Sequence, residues 1–326
     1  MISVFVIIGW LNNDGNMHRK FLITPLLVLS LSLGLSACGV GDPASSAANS
    51  NPLSVAPINS QLEYQLLSLE KKYDADISVS AVDVATGKSI NYRSTDRYLY
   101  ASTAKVFAVA AFLEQSTDSE KQQRLSWTKD DVDQAGYAPV TGQHLEHGLT
   151  AMEVAEAAIR DSDNAAMNLI LEKIGGPSGF DDWLRSLGDE TSEVVNQEPK
   201  LNIATPGSDA DTTTTAAFSS NLAELFQDDH LSPHHRETLL EWMTGNEITR
   251  TLSPAGAPDG WNIADKSGGS GALRNDIAIA TAPTGGNVAL SVFTRKVDQN
   301  ADYEDELVAD ATRVVLHEAE KLGFGS

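Results

Sequence analysis

The sequence predicts an α/β (α+β) protein, in which an antiparallel sheet of about five strands is flanked by helices and interrupted by an inserted all-helical lobe. Segments with strand-like patterns occur near both ends of the chain, at residues 77–92 and 261–294. Helical patterns, with apolar residues every three or four positions, fill the stretch between them. Because strands from both ends can share one sheet, the helices between them are expected to form a separate lobe.

The first elements are a helix and a hairpin. Ser60 and Glu63 have the spacing of a capping box. Apolar residues then follow along one helical face at Leu62, Leu66, Leu69 and Tyr73. Residues 77–84 alternate as a strand does, and a turn at 86–88 allows residues 89–92 to pair back on it.

The middle of the chain is predicted to be helical. Residues 103–114 are almost wholly apolar, which indicates a helix buried in the centre of the fold. Thr150 and Glu153 form a second capping box, whose helix runs to about Asp161. Another helix is expected from Ala165 to Ile174, because glycines follow it directly.

Three strands and a closing helix are predicted at the end of the chain. The strands are residues 261–266, 275–282 and 288–294, and turns rich in Gly, Ser and Pro join them. Residues 303–321 have the pattern of a helix.

The first 37 residues are typical of an export signal. Residues 1–10 are an apolar run too short to span a bilayer. Met17, the expected true start, opens a basic segment followed by an apolar one at residues 21–33. The segment ends in Leu35-Ser-Ala-Cys38, which resembles a bacterial lipobox, so we expect Cys38 to become the lipidated first residue.

Three parts of the chain are therefore expected: a signal region (1–37), a flexible tether (38–59) and a catalytic domain (60–326). The tether is rich in Ser, Ala, Asn, Pro and Gly, and such a segment buries too little surface to fold. The protein is expected to be exported and lipid-anchored at the cell envelope, in the periplasm or on the outer face of the cytoplasmic membrane. Cys38 is the only cysteine, so no intrachain disulfide can form. The alternative interpretation of Cys38 is that it is a small, buried apolar residue and is not lipidated.

The formal net charge is −22, from 23 Lys and Arg against 45 Asp and Glu. This charge disfavours nucleic acid and anionic lipid as partners, because their phosphates would be repelled. The lipid anchor is therefore the expected contact with a membrane. Acidic charge by itself indicates a well-solvated surface and says nothing about catalysis.

Four short strings carry candidate chemistry, and they occur in the order Ser102-Thr-Ala-Lys105, Ser162-Asp-Asn164, Glu198-Pro-Lys-Leu-Asn202 and Lys266-Ser-Gly268. At average composition, Ser-x-x-Lys alone occurs by chance roughly once in a chain of this length. The ordered set of four is therefore the informative observation.

Ser102 and Lys105 form a candidate nucleophile and base. Ser102 lies at the first turn of the buried helix, where free backbone N–H groups favour negative charge. A serine hydroxyl attacks only when a neighbour takes its proton, and a partly desolvated amine can do so. The alternatives are a helix cap for Ser102 and a surface lysine for Lys105, but the residues around Lys105 are apolar.

These strings are a signature of class A β-lactamases and penicillin-binding proteins, and the chain resembles a class A β-lactamase from about Ser60 to its C-terminus. Further matching stretches are Tyr137-Ala-Pro-Val-Thr141, Ala204-Thr-Pro-Gly207, Asp211-Thr-Thr-Thr214 and Gly260-Trp-Asn-Ile-Ala-Asp-Lys266. The resemblance places the active site between sheet and lobe, and implies hydrolysis of the β-lactam amide through an acyl-serine intermediate.

The resemblance also implies roles for individual residues. Ser102 is the nucleophile activated by Lys105, Ser162 passes a proton to the departing ring nitrogen, Glu198 activates the deacylating water, and Lys266 adds positive charge. The implied substrate-binding residues are Tyr137, Asn164, Asn202, Ser267, Gly269 and Arg274. Asn168 is expected to support the loop of Glu198, and the backbone N–H groups of Ser102 and Gly269 are expected to form the oxyanion hole.

The resemblance implies no cofactor. The expected partners are β-lactam antibiotics: penicillins are expected as substrates, and cephalosporins remain an open alternative. The chain is expected to be a monomer.

The chain departs from the family pattern at several positions. Asn196 stands where an arginine usually precedes the glutamate by two residues, so Asp211 is expected to lose the arginine as its partner, and a looser loop is expected. The hairpin after Lys266 is one residue shorter than usual, and Pro254 replaces a commonly basic residue. The peptide bond before Pro199 is expected to be cis by the same resemblance.

Other functions stay open at this stage. A D-Ala-D-Ala carboxypeptidase shares the acylation residues, but Glu198 argues against it, and a non-catalytic penicillin-sensing lipoprotein would not need Glu198 either. A metal hydrolase is disfavoured, because His144-Leu-Glu-His147 and His234-His235 match no zinc-hydrolase spacing. No metal site is therefore predicted.

Overall fold

A computed structural model describes residues 60–227 and 230–326. The helices in this part of the chain are α1 (Ser60–Tyr73), α2 (Lys105–Gln115), α3 (Asp118–Lys121), α4 (Lys129–Ala135), α5 (Ala151–Arg160), α6 (Asn164–Lys173), α7 (Gly176–Ser186), α8 (Thr215–Phe226), α9 (Pro233–Met243), α10 (Ser253–Gly256) and α11 (Asp305–Lys321). The strands are β1 (Ala75–Asp83), β2 (Ser89–Tyr92), β3 (Arg97–Leu99), β4 (Arg124–Leu125), β5 (Leu149–Thr150), β6 (Thr212–Thr214), β7 (Asn262–Ser270), β8 (Leu273–Thr281) and β9 (Asn287–Lys296). The predicted signal region, lipidated Cys38 and tether lie outside the described residues.

The main sheet has five strands in the order β2-β1-β9-β8-β7, and every neighbouring pair is antiparallel. Its first two strands come from the start of the domain and its last three from the end, so the predicted fold class is confirmed. The register pairs Val79 with both Tyr92 and Val292, and Lys266 with Ile277. Strand β7 is the last in this order, which leaves its outer edge facing the helical lobe.

Each face of the sheet carries its own apolar core. One core lies against α1 and α11 and includes Leu66, Ile77 and Leu316. The other surrounds α2, from which Val106 to Leu113 are all fully buried, as the apolar run predicted. Because α2 is enclosed on every side, any polar group at its start is removed from bulk water.

Most element boundaries agree with the sequence patterns. Thr150 and Glu153 form the predicted capping box, with Thr150 Oγ1 accepting from the Glu153 amide at 3.2 Å. Helix α1 differs, because it begins at Ser60 itself, so Ser60 is its first residue and not the residue before it. Strand β7 continues past its predicted end and β8 begins before its predicted start, because a tight turn at Gly271 (φ +55°) joins them.

Two short ladders outside the main sheet position loops. Strand β3 pairs with β6, and β4 pairs with β5. The first ladder matters for function, since β3 leads into Ser102 and β6 follows the segment that contains Glu198. None of the helices in the described part of the chain combines the length and apolar character needed to cross a membrane.

Candidate active site

Ser102 lies in a short 3-10 turn, Ala101–Ala104, between β3 and α2; we call it the nucleophile turn. Ala101 has a φ of +47°, a conformation that non-glycine residues rarely adopt. Strand β7 packs directly on this turn, and a Cβ at Gly268 would lie 3.0 Å from the Ser102 amide nitrogen and from the Tyr100 carbonyl oxygen. A side chain at this position would crowd the backbone of the nucleophile turn, so Gly268 lets β7 pack closely beside the backbone N–H of Ser102.

Lys105 contacts residues from several parts of the site. Its side chain is fully buried, and its Nζ lies 2.9 Å from Ser102 Oγ and 3.1 Å from Glu198 Oε1. The same nitrogen donates to the Ser162 carbonyl oxygen at 2.7 Å and to Asn164 Oδ1 at 2.6 Å. The structure thus brings residues from three of the predicted strings together around a single amine.

Burial lowers the pKa of Lys105, while the nearby carboxylates of Glu198 and Asp163 act in the opposite direction. A lowered pKa increases the fraction of neutral amine, which is the form that can accept a proton from Ser102. The surroundings of Lys105 therefore suit a general base better than a surface cation.

Ser162 is placed between two lysines. Lys266 Nζ donates to Ser162 Oγ at 2.9 Å, and Lys105 Nζ is 3.4 Å from the same oxygen. Burial, and then the charge of Lys105, hold the pKa of Lys266 well below its usual value. A hydroxyl with two such donors can pass a proton through the site. Asp163, in contrast, caps α6 by accepting from the Ala166 amide at 2.8 Å, so its role is structural.

Glu198 is buried, at 3% exposure, and several contacts fix it. Asn202 Nδ2 donates to Glu198 Oε2 at 2.6 Å. Asn168 makes two hydrogen bonds to the Glu198 backbone, each of 2.9 Å, which is the support the sequence analysis assigned to it. The Glu198–Pro199 peptide bond is cis, as the resemblance implied. Apart from Lys105, no described residue supplies a partner for Oε1, which leaves that oxygen able to accept a proton.

Asp211 has no arginine partner in the described part of the chain, but other groups donate to its carboxylate. Asn196 donates to Asp211 twice, from its side-chain Nδ2 at 2.6 Å and from its backbone N–H at 2.9 Å. Val195 donates a backbone N–H at 3.0 Å, and the Tyr100 hydroxyl donates at 2.8 Å. An uncharged set of four donors therefore satisfies this carboxylate, where the family pattern uses an arginine.

The predicted substrate-binding side chains differ in accessibility. Tyr137 is 56% exposed, whereas Ser267 and Arg274 are nearly buried. Arg274 lies opposite Gly269 in the β7–β8 register. Asn164 is more engaged than expected: Oδ1 accepts from Lys105, and Nδ2 donates to the Ala135 carbonyl oxygen at 3.1 Å. Asn164 thus positions Lys105, in addition to the substrate contact that was predicted for it.

Two residues that sequence reasoning missed hold Arg274 in place. Asp305 Oδ1 accepts from Arg274 Nε at 2.8 Å, and the Tyr303 ring lies 4.7 Å from the guanidinium carbon. Both residues precede or begin α11, far along the chain from Arg274. No local pattern marks such a contact, because it depends on how α11 packs on the sheet.

A buried pair of acids, Asp265 and Asp276, was also missed. They lie on β7 and β8, one residue from Lys266 and opposite Ser267 respectively, and both are fully buried. Burial raises the pKa of both carboxyls, that of Asp276 to about 6, and for Asp265 the charge of Asp276 adds to the effect. Asp265 Oδ2 and Asp276 Oδ1 have no hydrogen-bond partner among the described residues, and two such carboxyls on neighbouring strands are expected to share one proton.

The histidines do not assemble a metal centre within the described residues, where no cluster of three or more His, Cys, Asp or Glu side chains could hold an ion. His144 Nδ1 is 2.9 Å from the Val140 carbonyl oxygen, and His147 is exposed beside Glu146. His235 Nε2 instead lies 3.0 Å from Lys121 Nζ.

Comparison with known proteins shows the family to which the chain belongs. Residues 61–319 match a family model described as the β-lactamase enzyme family. A β-lactamase of Bacillus licheniformis is 39% identical over 257 residues, covering 78% of this chain and 83% of the relative. β-Lactamase 3 of Bacillus cereus is 35% identical over 302 residues, covering 92% and 95%.

Solved structures resemble the fold over most of its length. A class A β-lactamase from Clostridium kluyveri superimposes with a TM-score of 0.77 at 36% identity, over 80% of this chain and all of the other. A halotolerant bacterial β-lactamase superimposes with a TM-score of 0.74 at 38% identity, over 78% and 98%.

Proposed function

The chain belongs to the β-lactamase enzyme family and is a β-lactam hydrolase, and we propose that it acts through a covalent acyl-serine intermediate on Ser102. Such hydrolysis destroys β-lactam antibiotics and so confers resistance to them. One observation carries the proposed mechanism: Lys105 Nζ lies within 3.1 Å of both the Ser102 hydroxyl and the Glu198 carboxylate. Because one buried amine contacts both groups, the nucleophile can act in acylation and the carboxylate in the deacylation that follows.

In the first step, Ser102 Oγ attacks the β-lactam carbonyl carbon, and its proton is taken either by neutral Lys105 or by Glu198 through a water. The negative charge that develops on the carbonyl oxygen is stabilised by the backbone N–H groups of Ser102 and Gly269. Each preorganised donor of this kind contributes on the order of 3 kcal/mol.

Opening of the ring requires a proton on the departing nitrogen. Ser162 is suited to deliver it, because its hydroxyl contacts Lys266 at 2.9 Å and Lys105 at 3.4 Å. A proton taken from Ser102 can therefore reach the nitrogen through Lys105 and Ser162, and Lys266 stabilises the charge that passes. No atom leaves the substrate, since the amide is part of a ring.

The second step is hydrolysis of the ester on Ser102. Glu198 takes a proton from water, and Asn202 at 2.6 Å from Glu198 Oε2 helps to orient that water. Asn168 holds the backbone of Glu198 through two hydrogen bonds, and this keeps the residue in place while the ester forms and breaks. A positioned general base typically accelerates such a step by about 10²–10⁴-fold.

The remaining site residues bind the substrate in this proposal. Arg274 and Ser267 attract the carboxylate that β-lactams carry, and Tyr137 forms an exposed wall of the cleft. The mechanism uses no cofactor, and a monomer contains every group that it needs. Export, and anchoring at the envelope through a lipid on Cys38, are also part of the proposal.

The test compares two substrates. Purified protein is mixed with nitrocefin and, separately, with a D-Ala-D-Ala peptide, and turnover and protein mass are followed. Rapid nitrocefin turnover without peptide cleavage is the expected result. Peptide cleavage, or a stalled adduct with nitrocefin, would instead indicate a carboxypeptidase or a penicillin-sensing protein.

A further inference from the structure

Residues 193–212, which include Glu198, form a loop whose two ends are joined by hydrogen bonds; we call it the base loop. The Glu193 amide donates to the Thr212 carbonyl oxygen at 3.1 Å, and the Asp211 amide donates to the Glu193 carbonyl oxygen at 2.8 Å. Inside the loop, the position of Glu198 is fixed from the α6 side by Asn168. A second anchor lies on the side of the nucleophile.

Asp211 supplies that second anchor. Its side chain is 1% exposed, and no Lys or Arg nitrogen of the described chain lies within ion-pair distance of it. The carboxylate therefore depends on neutral donors. Three of the four donor groups belong to Val195 and Asn196 in the base loop itself; among the described residues, only the Tyr100 hydroxyl donates from outside the loop.

Tyr100 is rigidly connected to the nucleophile. It stands two residues before Ser102, and its carbonyl oxygen accepts hydrogen bonds from the Thr103 hydroxyl at 2.6 Å and the Thr103 amide at 3.3 Å. Its ring stacks on Phe218 at 6.2 Å. Its backbone amide also donates to the Asp211 carbonyl oxygen at 3.1 Å. Tyr100 and Asp211 are thus joined by two hydrogen bonds, one from the backbone and one from the side chain.

We propose that Tyr100 is a positioning residue for deacylation, because its hydroxyl fastens the base loop to the nucleophile turn and so sets the distance from Glu198 to the acyl ester. This inference rests on the proposed function. Burial and the adjacent Asp211 carboxylate keep the pKa of Tyr100 well above its usual value, so the hydroxyl remains a donor at every working pH. The proposal assigns Tyr100 no contact with substrate.

Tyr98 offers a matched control. It is buried like Tyr100 and only two residues away, yet its hydroxyl has no hydrogen-bond partner among the described residues. Tyr98→Phe and Tyr100→Phe each remove one buried oxygen from neighbouring positions. Only Tyr100→Phe removes a bond to the base loop.

The experiment measures acylation and deacylation of benzylpenicillin separately, by steady-state kinetics and by intact mass after rapid quenching. Slower deacylation lowers kcat and KM together and leaves kcat/KM unchanged, because kcat/KM reports only the steps up to acylation. For Tyr100→Phe we expect kcat and KM to fall together by about 10-fold, since sub-ångström misplacement of a catalytic group has effects of this order. The acyl adduct should accumulate, and Tyr98→Phe should behave as the wild type.

A rescue variant separates loop anchoring from general loss of structure. Asn196→Arg gives Asp211 a cationic partner within the base loop, so we expect it to recover much of the lost deacylation rate in the Tyr100→Phe background. If Tyr100→Phe does not fold, Asp211→Asn is measured in its place and should show the same joint fall of kcat and KM.

Three results would overturn the inference: unchanged kinetics in Tyr100→Phe, a fall in kcat/KM without adduct accumulation, or the same change in Tyr98→Phe. Absence of β-lactam hydrolysis in the wild type would instead overturn the proposed function. The two failures are therefore distinguishable.

Discussion

Lys105 Nζ lies 3.1 Å from Glu198 Oε1, and both side chains are withdrawn from solvent. A buried ion pair of this kind is weak evidence for stability, because desolvation offsets much of the attraction. Its value is in proton transfer, since Lys105 Nζ contacts both the Glu198 carboxylate and the Ser102 hydroxyl. Removing either side chain leaves the other charge buried without a partner, which would destabilise the fold. Conservative substitutions such as Glu198→Gln are therefore the better test of catalytic roles.

Ser102→Ala is expected to abolish β-lactam turnover and covalent labelling and to leave the fold intact, because one hydroxyl is removed and no cavity of consequence forms. Intact mass after incubation with penicillin, together with circular dichroism, tests both parts. Ser116→Ala, which removes a hydroxyl at the other end of α2, should label and turn over like the wild type. Strong labelling of Ser102→Ala would place the nucleophile elsewhere.

Glu198→Gln should slow deacylation by about two to four decades, the usual scale for losing a general base. The adduct on Ser102 should then accumulate with a mass increment equal to the whole drug, since ring opening expels no atoms. Glu193→Gln changes a partly exposed carboxylate of the base loop and serves as the control. Unchanged turnover in Glu198→Gln would remove Glu198 from the mechanism.

The same Glu198→Gln variant also identifies the acylation base. If neutral Lys105 accepts the proton, adduct formation remains fast and slows toward acid pH as the amine becomes protonated. If Glu198 accepts it through water, adduct formation slows together with deacylation. Quenched-flow mass spectrometry from mildly acidic to mildly alkaline pH distinguishes the two routes.

Asp276→Asn should flatten the pH dependence of stability. The folded protein holds the shared proton of Asp265 and Asp276 more tightly than the unfolded chain does, because burial raises both pKa values, that of Asp276 to about 6. Their contribution is therefore complete below the ordinary pKa of 3.8 and is lost as the pH rises toward and past about 6. With about 1.4 kcal/mol for each pKa unit, the rise of the Asp276 pKa from 3.8 to about 6 by itself corresponds to about 3 kcal/mol.

The amide introduced by Asp276→Asn can donate to Asp265 without a titrating proton, so the variant should lose less stability than the wild type as the pH rises through this range. Urea denaturation at mildly acidic and mildly alkaline pH measures the difference. Asp133→Asn, at an exposed carboxylate, controls for the change in net charge. An equally steep loss in Asp276→Asn would show that the pair does not share a proton.

Lipidation of Cys38 is tested on the membrane-extracted protein. Intact mass should give an N-terminus at residue 38 carrying acyl groups, whereas Cys38→Ser should lack the acyl mass and appear in the soluble fraction. A wild-type N-terminus at another residue, without acyl mass, would exclude the anchor.

The strand and helix patterns along the chain were sufficient to predict the fold class, and the ordered set of four motifs selected the residues around Lys105. Each motif places its reacting groups only a few residues apart, as Ser102 and Lys105 are. Such groups can be recognised from the sequence without knowledge of the tertiary structure. The apolar run of α2 likewise predicted burial directly, because a helix without a polar face can be stable only inside the protein.

Sequence patterns gave only part of the answer at Asp211. They predicted the loss of the arginine partner but not its replacement; a buried charge must find donors, and Asn196 and Tyr100 provide them. Tyr100 precedes Asp211 by more than one hundred residues, so no local pattern could have identified it.

Sequence by itself therefore determined which reacting groups this protein carries, the helix that buries Lys105, and the strands that build the sheet. Only the tertiary structure decided how those groups are held: Asp305 and Tyr303 against Arg274, Asp276 against Asp265, and Tyr100 against Asp211. The reason is physical. Reacting groups are recognised by their chemistry, which belongs to the residue type, whereas a partner is recognised by proximity, which exists only after distant segments have packed together.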